Sequence, residues 1–201
     1  ILMLIGENAL VSYSVICYVT TLVLTTMLGI SQGLQPICSY YYGMEDNKSV
    51  LSLLKMSLSY ITKASVIAFL LVLIFANQIV SIFIDKSDIT LFNYTVKTLR
   101  ISSVAYLIMG YNVIISGFCV STGKAIHASI ISLGRGLVVI TLSLILMTSI
   151  FGGAGIWFTT LVSEAIVLVI AKKILQKNKS KIQENEKYED VEIYENAKNA
   201  V

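Results

Sequence analysis

Apolar residues run through this chain in blocks longer than a soluble helix or strand requires. No charged residue occurs between Asn8 and Met44, a stretch exceeding the ~20 residues with which a helix crosses a hydrocarbon core. The pattern predicts a first membrane span over residues 9–42, regular from Ala9 to about Gln32. Gln35 and Pro36 then interrupt it, because proline removes a backbone donor and clashes with the preceding turn, so the helix bends there or continues as a kinked extension to Tyr42. Gly43 to Lys48 form a loop. A second span covers 50–77, with Lys55 and Lys63 on one face of its first half and no charge from Ala64 to Ile84. Such lysines suit a helix that protrudes from the membrane at its start, or stems that snorkel toward headgroups.

A polar connection from Asp85 to Arg100, much of it suited to amphipathic helix, precedes three further spans over 101–122, 125–150 and 155–175. Phe151-Gly152-Gly153-Ala154-Gly155 leaves room only for a tight reversal. Residues 1–8 read as the end of a preceding transmembrane helix, Ile1 to Ile5, and its loop. Residues 176–201 read as a charged tail, disordered or a loosely formed surface helix. The predicted fold class is therefore all-α: a polytopic transmembrane helix bundle of about five spans, within a longer protein.

Composition supports this division. Hydrophobic residues make up 56% and charged residues 13% of the chain, and the mean hydropathy is +0.79, outside the range of a soluble domain. Of the 27 charged residues, 13 lie from Lys172 onward. The net charge of +3 is small, and the basic residues flank apolar runs instead of forming a stripe interleaved with aromatics, so no nucleic-acid partner is expected. Lys and Arg in the short loops favour a cytoplasmic C-terminus, with Lys48, Lys55, Lys124, Lys172 and Lys173 on the inner side. Cys17, Cys38 and Cys119 match no metal or disulfide spacing and read as buried small hydrophobes.

Candidate chemistry is sparse. No phosphate-binding Gly-Lys-Ser/Thr loop and no HExxH occurs, and a single histidine, His127, at the start of the fourth span, argues against a metal site. Glu164 stands near the middle of the fifth span, on the order of 10 Å from Trp157 and from Lys172 at 1.5 Å per residue. An acid there must be paired, neutralised or hydrated. It is either a proton or cation site facing a water-filled cavity, or a hydrogen-bonded glutamate joining two helices. Arg135, three turns into the fourth span, must snorkel or meet an acceptor on another helix, and Glu164 is one conceivable partner. Gly29 and Gly33 permit close helix approach. Gln32 and Gln35 place amides beside the Pro36 bend, either as packing or as the lining of a cavity at a broken helix. Tyr40, Tyr41 and Tyr42 read as an interfacial aromatic cluster.

Gly29-Ile-Ser-Gln-Gly-Leu-Gln-Pro36 and Ser39-Tyr-Tyr-Tyr-Gly43 resemble the C-terminal lobe signature of the multidrug and toxin extrusion (MATE) transporters. Gly123-Lys-Ala125, Ser132-Leu-Gly-Arg135, and Gly155-Ile-Trp157 with Glu164 resemble that family's last two helices. The resemblance implies a two-lobe transporter of twelve helices in a cell membrane, of which these are the last five, so the missing N-terminal lobe and the lipid bilayer are the expected partners. It implies export of cationic or amphipathic small molecules in exchange for protons or sodium ions, with no cofactor beyond that coupling ion. Tyr41 stands where the family usually has asparagine, and residues 101–122 contain no acid, so the coupling acid is expected outside this chain. Other readings are a lipid-linked oligosaccharide flippase of similar architecture, disfavoured by the scarcity of cationic cavity residues, and a non-transporting membrane scaffold. A membrane-embedded enzyme would need convergent acids, bases or metal ligands, which the chain does not offer.

Overall fold

A 37-residue helix, α1 (Glu7–Gly43), starts at Gly6, whose φ of 82° lies in the left-handed region open to glycine. In this computed structural model the backbone is described over residues 6–199, and side chains over 6, 9–180, 182 and 183. The expected helix end at Ile1–Ile5 lies outside the described residues. α1 passes through the exposed Pro36 without ending. A tight turn follows, with Glu45 at φ 60°, and α2 (Asn47–Ser81) returns antiparallel. Asp46 caps α2 by accepting a hydrogen bond from the Ser49 N–H at 3.0 Å, and the Ser49 hydroxyl together with this bond holds its carboxyl below the usual range.

The third crossing differs from the 101–122 span expected from sequence. α3 (Ile89–Ser103), capped by Asp88, is the helix expected within the polar connection, and it joins the crossing instead of preceding it. It breaks at Val104 and Ala105, and α4 (Tyr106–Ser121) leaves at a 44° bend. Side-chain hydroxyls compete with the ladder just before the break: Thr98 Oγ1 donates to the Tyr94 carbonyl at 2.9 Å, and Ser103 Oγ to that of Arg100 at 2.7 Å. α5 (Ala125–Leu133) continues through a π turn, Gly134–Val138, into α6 (Val139–Phe151).

The tight reversal is a single 3₁₀ turn, Gly152–Gly155, with Gly152 at φ 59°. It lays α7 (Ile156–Asn199) back against α6, close enough that a Cβ on Gly155 would collide with the Met147 backbone. Length and composition suffice for a crossing in α1, in α2, in the bent α3–α4 pair and in the 125–180 stretch that this turn folds into two arms. The molecule is a multi-pass, all-α membrane bundle.

α4 is its centre. Tyr106, Met109, Val113 and Phe118 are buried in one cluster with Val15, Val19 and Met27 of α1 and Leu54, Ile61 and Val72 of α2. Ile115 and Cys119, from its other side, pack with Ala128 and Ile131 of α5 and Val167 and Ala171 of α7. Small residues make this possible: a Cβ on Gly110 would meet Ser65 and Ile61, and one on Gly117 would meet Ser31 and Gln35. Gly29 and Gly33, expected to bring helices together, are exposed and face nothing within 4 Å. Leu133, Leu137, Leu142, Ile145 and Ile150 point outward from α5, the π turn and α6, a surface suited to lipid and not to water.

Two other expectations change. α7 does not give way to a separate tail at residue 176, because Asn178 and Ile182 are only 1% and 2% exposed and continue its packed face beyond Leu175. Asn178 Nδ2 donates to Cys119 Sγ at 3.4 Å. Cys38 and Cys119 are buried as expected, whereas Cys17 is exposed on α1.

Candidate ion and substrate pathway

Glu164 of α7 is 4% exposed and meets partners from two other helices. Asn112 Nδ2 on α4 donates to Glu164 Oε2 at 2.6 Å and to the Glu164 backbone carbonyl at 3.0 Å. Arg135 Nε lies 3.9 Å from Oε1, a charge contact longer than a hydrogen bond. An uncompensated acid at the centre of a spanning helix costs about 2.5–3.5 kcal/mol on insertion scales, so this carboxylate is tolerated through the amide and the guanidinium.

Local sequence explains how the two charges meet. Measured from the outer ends of their helices, Arg135 and Glu164 stand at different depths. The short turn instead sets Gly155 against Met147 and Ile156, Thr159 and Thr160 across from Ile140, Thr141 and Leu144, which brings Glu164 within an arginine's reach of residue 135. The π turn supplies the aim. Its wider winding, with Gly134 and Gly136 flanking Arg135, displaces the guanidinium from the face that α-helical geometry would give it.

Polar groups continue toward α1. Ser31, Gln35, Asn112, Ser116, Ser132 and Arg135 line a cavity of about 80 Å³, room for a few waters or a hydrated ion. Ser116 Oγ donates to the Ala128 carbonyl at 3.3 Å and lies 3.1 Å from Ser132 Oγ. Arg135 Nη1, Asn112 Oδ1 and Ser163 Oγ are buried without a protein hydrogen-bond partner, so the network retains binding capacity beside the carboxylate. A larger groove of about 390 Å³ between α1 and α2, lined by residues such as Leu22, Thr26, Ala68 and Leu71, is almost wholly apolar and carries no comparable chemistry.

Of the residues singled out from sequence, Glu164 and Arg135 are brought together and Gln35 joins them through the cavity. Gln32 points away, exposed on the face it shares with Gly29 and Pro36. Asn112 was missed. Its signal was an amide at the middle of an otherwise uncharged, apolar span, where an unpaired polar group is as informative as a charge. His127 is partly buried at the start of α5 and meets none of the network. Among the described residues no three His, Cys, Asp or Glu side chains gather into a possible metal site.

Residues 1–145 match the family model described as MatE. The multidrug export protein MepA of Staphylococcus saprophyticus is 23% identical over 170 residues, covering 85% of this chain and 37% of that protein. MepA of Staphylococcus haemolyticus is 22% identical over the same lengths. The chain thus spans little more than a third of the curated relatives it matches. Among solved structures, an outward-facing multidrug resistance MATE family transporter of the MOP superfamily superposes with a TM-score of 0.83 at 14% identity, over 91% of this chain and 41% of that one. An inward-facing one gives 0.82 at 14%, over 91% and 42%.

Proposed function

The chain belongs to the MatE family, and from that premise we propose that the protein carrying it is a secondary active transporter, an antiporter exporting cationic or amphipathic compounds in exchange for protons or sodium ions. The observation that carries this reading is the Arg135–Glu164 pair inside a spanning bundle, with Glu164 buried and Arg135 lining a polar cavity. While the pair is intact its charges cancel, and a cationic compound meets a cavity wall of low net charge. A proton or sodium ion taken by Glu164, in addition to any coupling acid outside this chain, leaves the Arg135 charge uncompensated and repels that compound. Mutual exclusion of two cations at one site is what an exchanger requires. The names of the MepA relatives support drug export as the physiological direction.

The near-equal likeness to outward-facing and inward-facing structures supports a lobe that keeps its internal packing while it rocks against the rest of the protein. On this reading the chain is the C-terminal lobe, sits in a cell membrane with its C-terminus in the cytoplasm, and does not transport alone. The complete protein in sealed vesicles tests the proposal: accumulation of a fluorescent organic cation under an imposed proton or sodium gradient is expected. No movement under either gradient sinks it.

A further inference from the structure

The exposed face of α2 changes character along its length. Ser52, Lys55, Ser59 and Lys63 follow one another at helical spacing on the outer surface, and Val66, Leu70 and Ile74 continue the same face. The uncharged part of α2, residues 64–81, is about 27 Å long at 1.5 Å per residue, close to one hydrocarbon thickness. Lys63 therefore leaves the hydrocarbon at its border, and Lys55 lies about 12 Å farther along the axis, toward the Gly43–Asn47 turn.

The Lys63 ammonium sits 5.7 Å from the centroid of the exposed Tyr60 ring, and among the described residues neither Lys55 nor Lys63 meets a carboxylate. Lys63 stands at the level of the lipid phosphates and Lys55 beyond it, at the water side of the headgroup layer, with the Ser59 and Tyr60 hydroxyls between them. Their stems can follow the apolar surface while the ammonium groups reach the headgroup layer. The complement of this stripe is a phosphodiester carrying net negative charge; a zwitterionic headgroup brings its own ammonium and gains less.

We propose that Lys55 and Lys63 bind the headgroup of an anionic phospholipid from the leaflet on the side of the Gly43–Asn47 turn. The site is independent of the transport reading, since it uses none of the cavity residues. It is tested with the complete protein in neutral detergent, by native mass spectrometry against phosphatidylglycerol and phosphatidylcholine of matched acyl chains. Wild type binds phosphatidylglycerol preferentially. Each lysine near a membrane surface contributes roughly fivefold, so Lys55→Gln with Lys63→Gln lowers the preference by about 25-fold, whereas Lys55→Arg with Lys63→Arg retains it. If the double glutamine variant is not recovered folded, each single variant must lose about fivefold on the same scale. Equal binding of the two lipids by wild type, an unchanged preference in the glutamine variants, or displacement of the lipid by glycerol 3-phosphate at matched concentration overturns the proposal, the last by assigning the stripe to a soluble anion.

Discussion

Asn112 holds Glu164 twice, donating to its carboxylate at 2.6 Å and to its backbone carbonyl at 3.0 Å. One amide thus ties α4 to α7 and supplies the nearest hydrogen bond to the buried acid. Asn112→Leu is expected to lower the stability of the complete protein by about 1–3 kcal/mol, the cost of leaving a buried polar group unpaired. Thermal unfolding in detergent measures this. Stability equal to that of wild type would show that the acid finds other partners.

Arg135 and Glu164 should be coupled in a double-mutant cycle. Removing the guanidinium alone, Arg135→Gln, leaves an unpaired buried acid, and Arg135→Lys changes reach and donor geometry. Adding Glu164→Gln to Arg135→Gln is expected to recover part of the lost stability, with an interaction of roughly 0.5–3 kcal/mol. Organic-cation flux is expected to fall in both single variants and to stay low in the double one. Strict additivity of the two stability changes would remove the ion pair from the account.

Gly117 brings α4 close against Ser31 and Gln35 of α1. A Cβ there would enter the space of Ser31 Oγ and approach Gln35 Nε2 at 3.2 Å. Gly117→Val is expected to destabilise the protein by about 1–3 kcal/mol through overpacking, and to close the polar cavity by displacing Gln35. Loss of thermal stability together with slower flux is the expected outcome, while a stable variant with unchanged flux would show that α1 gives way freely.

The Asp46 cap sets a pH dependence at the start of α2. Its folded carboxyl lies below its unfolded value because the Ser49 hydroxyl and N–H stabilise the charged form. The cap's contribution is thus complete above the unfolded pKa of about 3.9 and is lost as pH falls through the lower, folded value. In Asp46→Asn, whose amide oxygen still accepts from Ser49, helix order near residue 49 should vary less across that acid range, read by amide hydrogen exchange. Identical pH profiles for the two proteins would rule out this titration.

Packing of α7 beyond the membrane should also be measurable. Ile182 is 2% exposed in the same core as Leu54 and Leu99. A chain stopped after Gln183 is expected to match wild type in thermal stability, whereas one stopped after Leu175, lacking Asn178 and Ile182, should be less stable by several degrees, corresponding to the loss of a buried aliphatic side chain of about 1.5–3 kcal/mol. Equal stability of the two would return this segment to the status of a tail.

The apolar blocks, the glycine reversal at 152–155 and the position of Glu164 were legible because each is a local property. A hydrocarbon solvent requires uninterrupted apolar runs, and a five-residue glycine-rich link can only reverse the chain. The α3–α4 break was not legible, since its serine and threonine hydroxyls are compatible with helix until neighbouring packing selects the bend. The continuation of α7 past Leu175 was hidden for a similar reason: Asn178 and Ile182 are too few to form a stripe in sequence and become buried only in the assembled bundle, Asn178 at Cys119 and Ile182 in the core that holds Leu54 and Leu99.

The sequence by itself determined that this chain is a membrane-spanning helical bundle with an acid and an arginine inside it, because charge in lipid is costly wherever the fold places it. Tertiary structure alone decided that those two residues meet. That depends on the offset between antiparallel helices and on a π turn that rotates one side chain by part of a turn, quantities set by close packing at Met147 and Gly155 and not by any periodicity along the chain. It also decided that Asn112, one amide in an apolar helix, completes the site, and that Gln32, three residues before Gln35, does not.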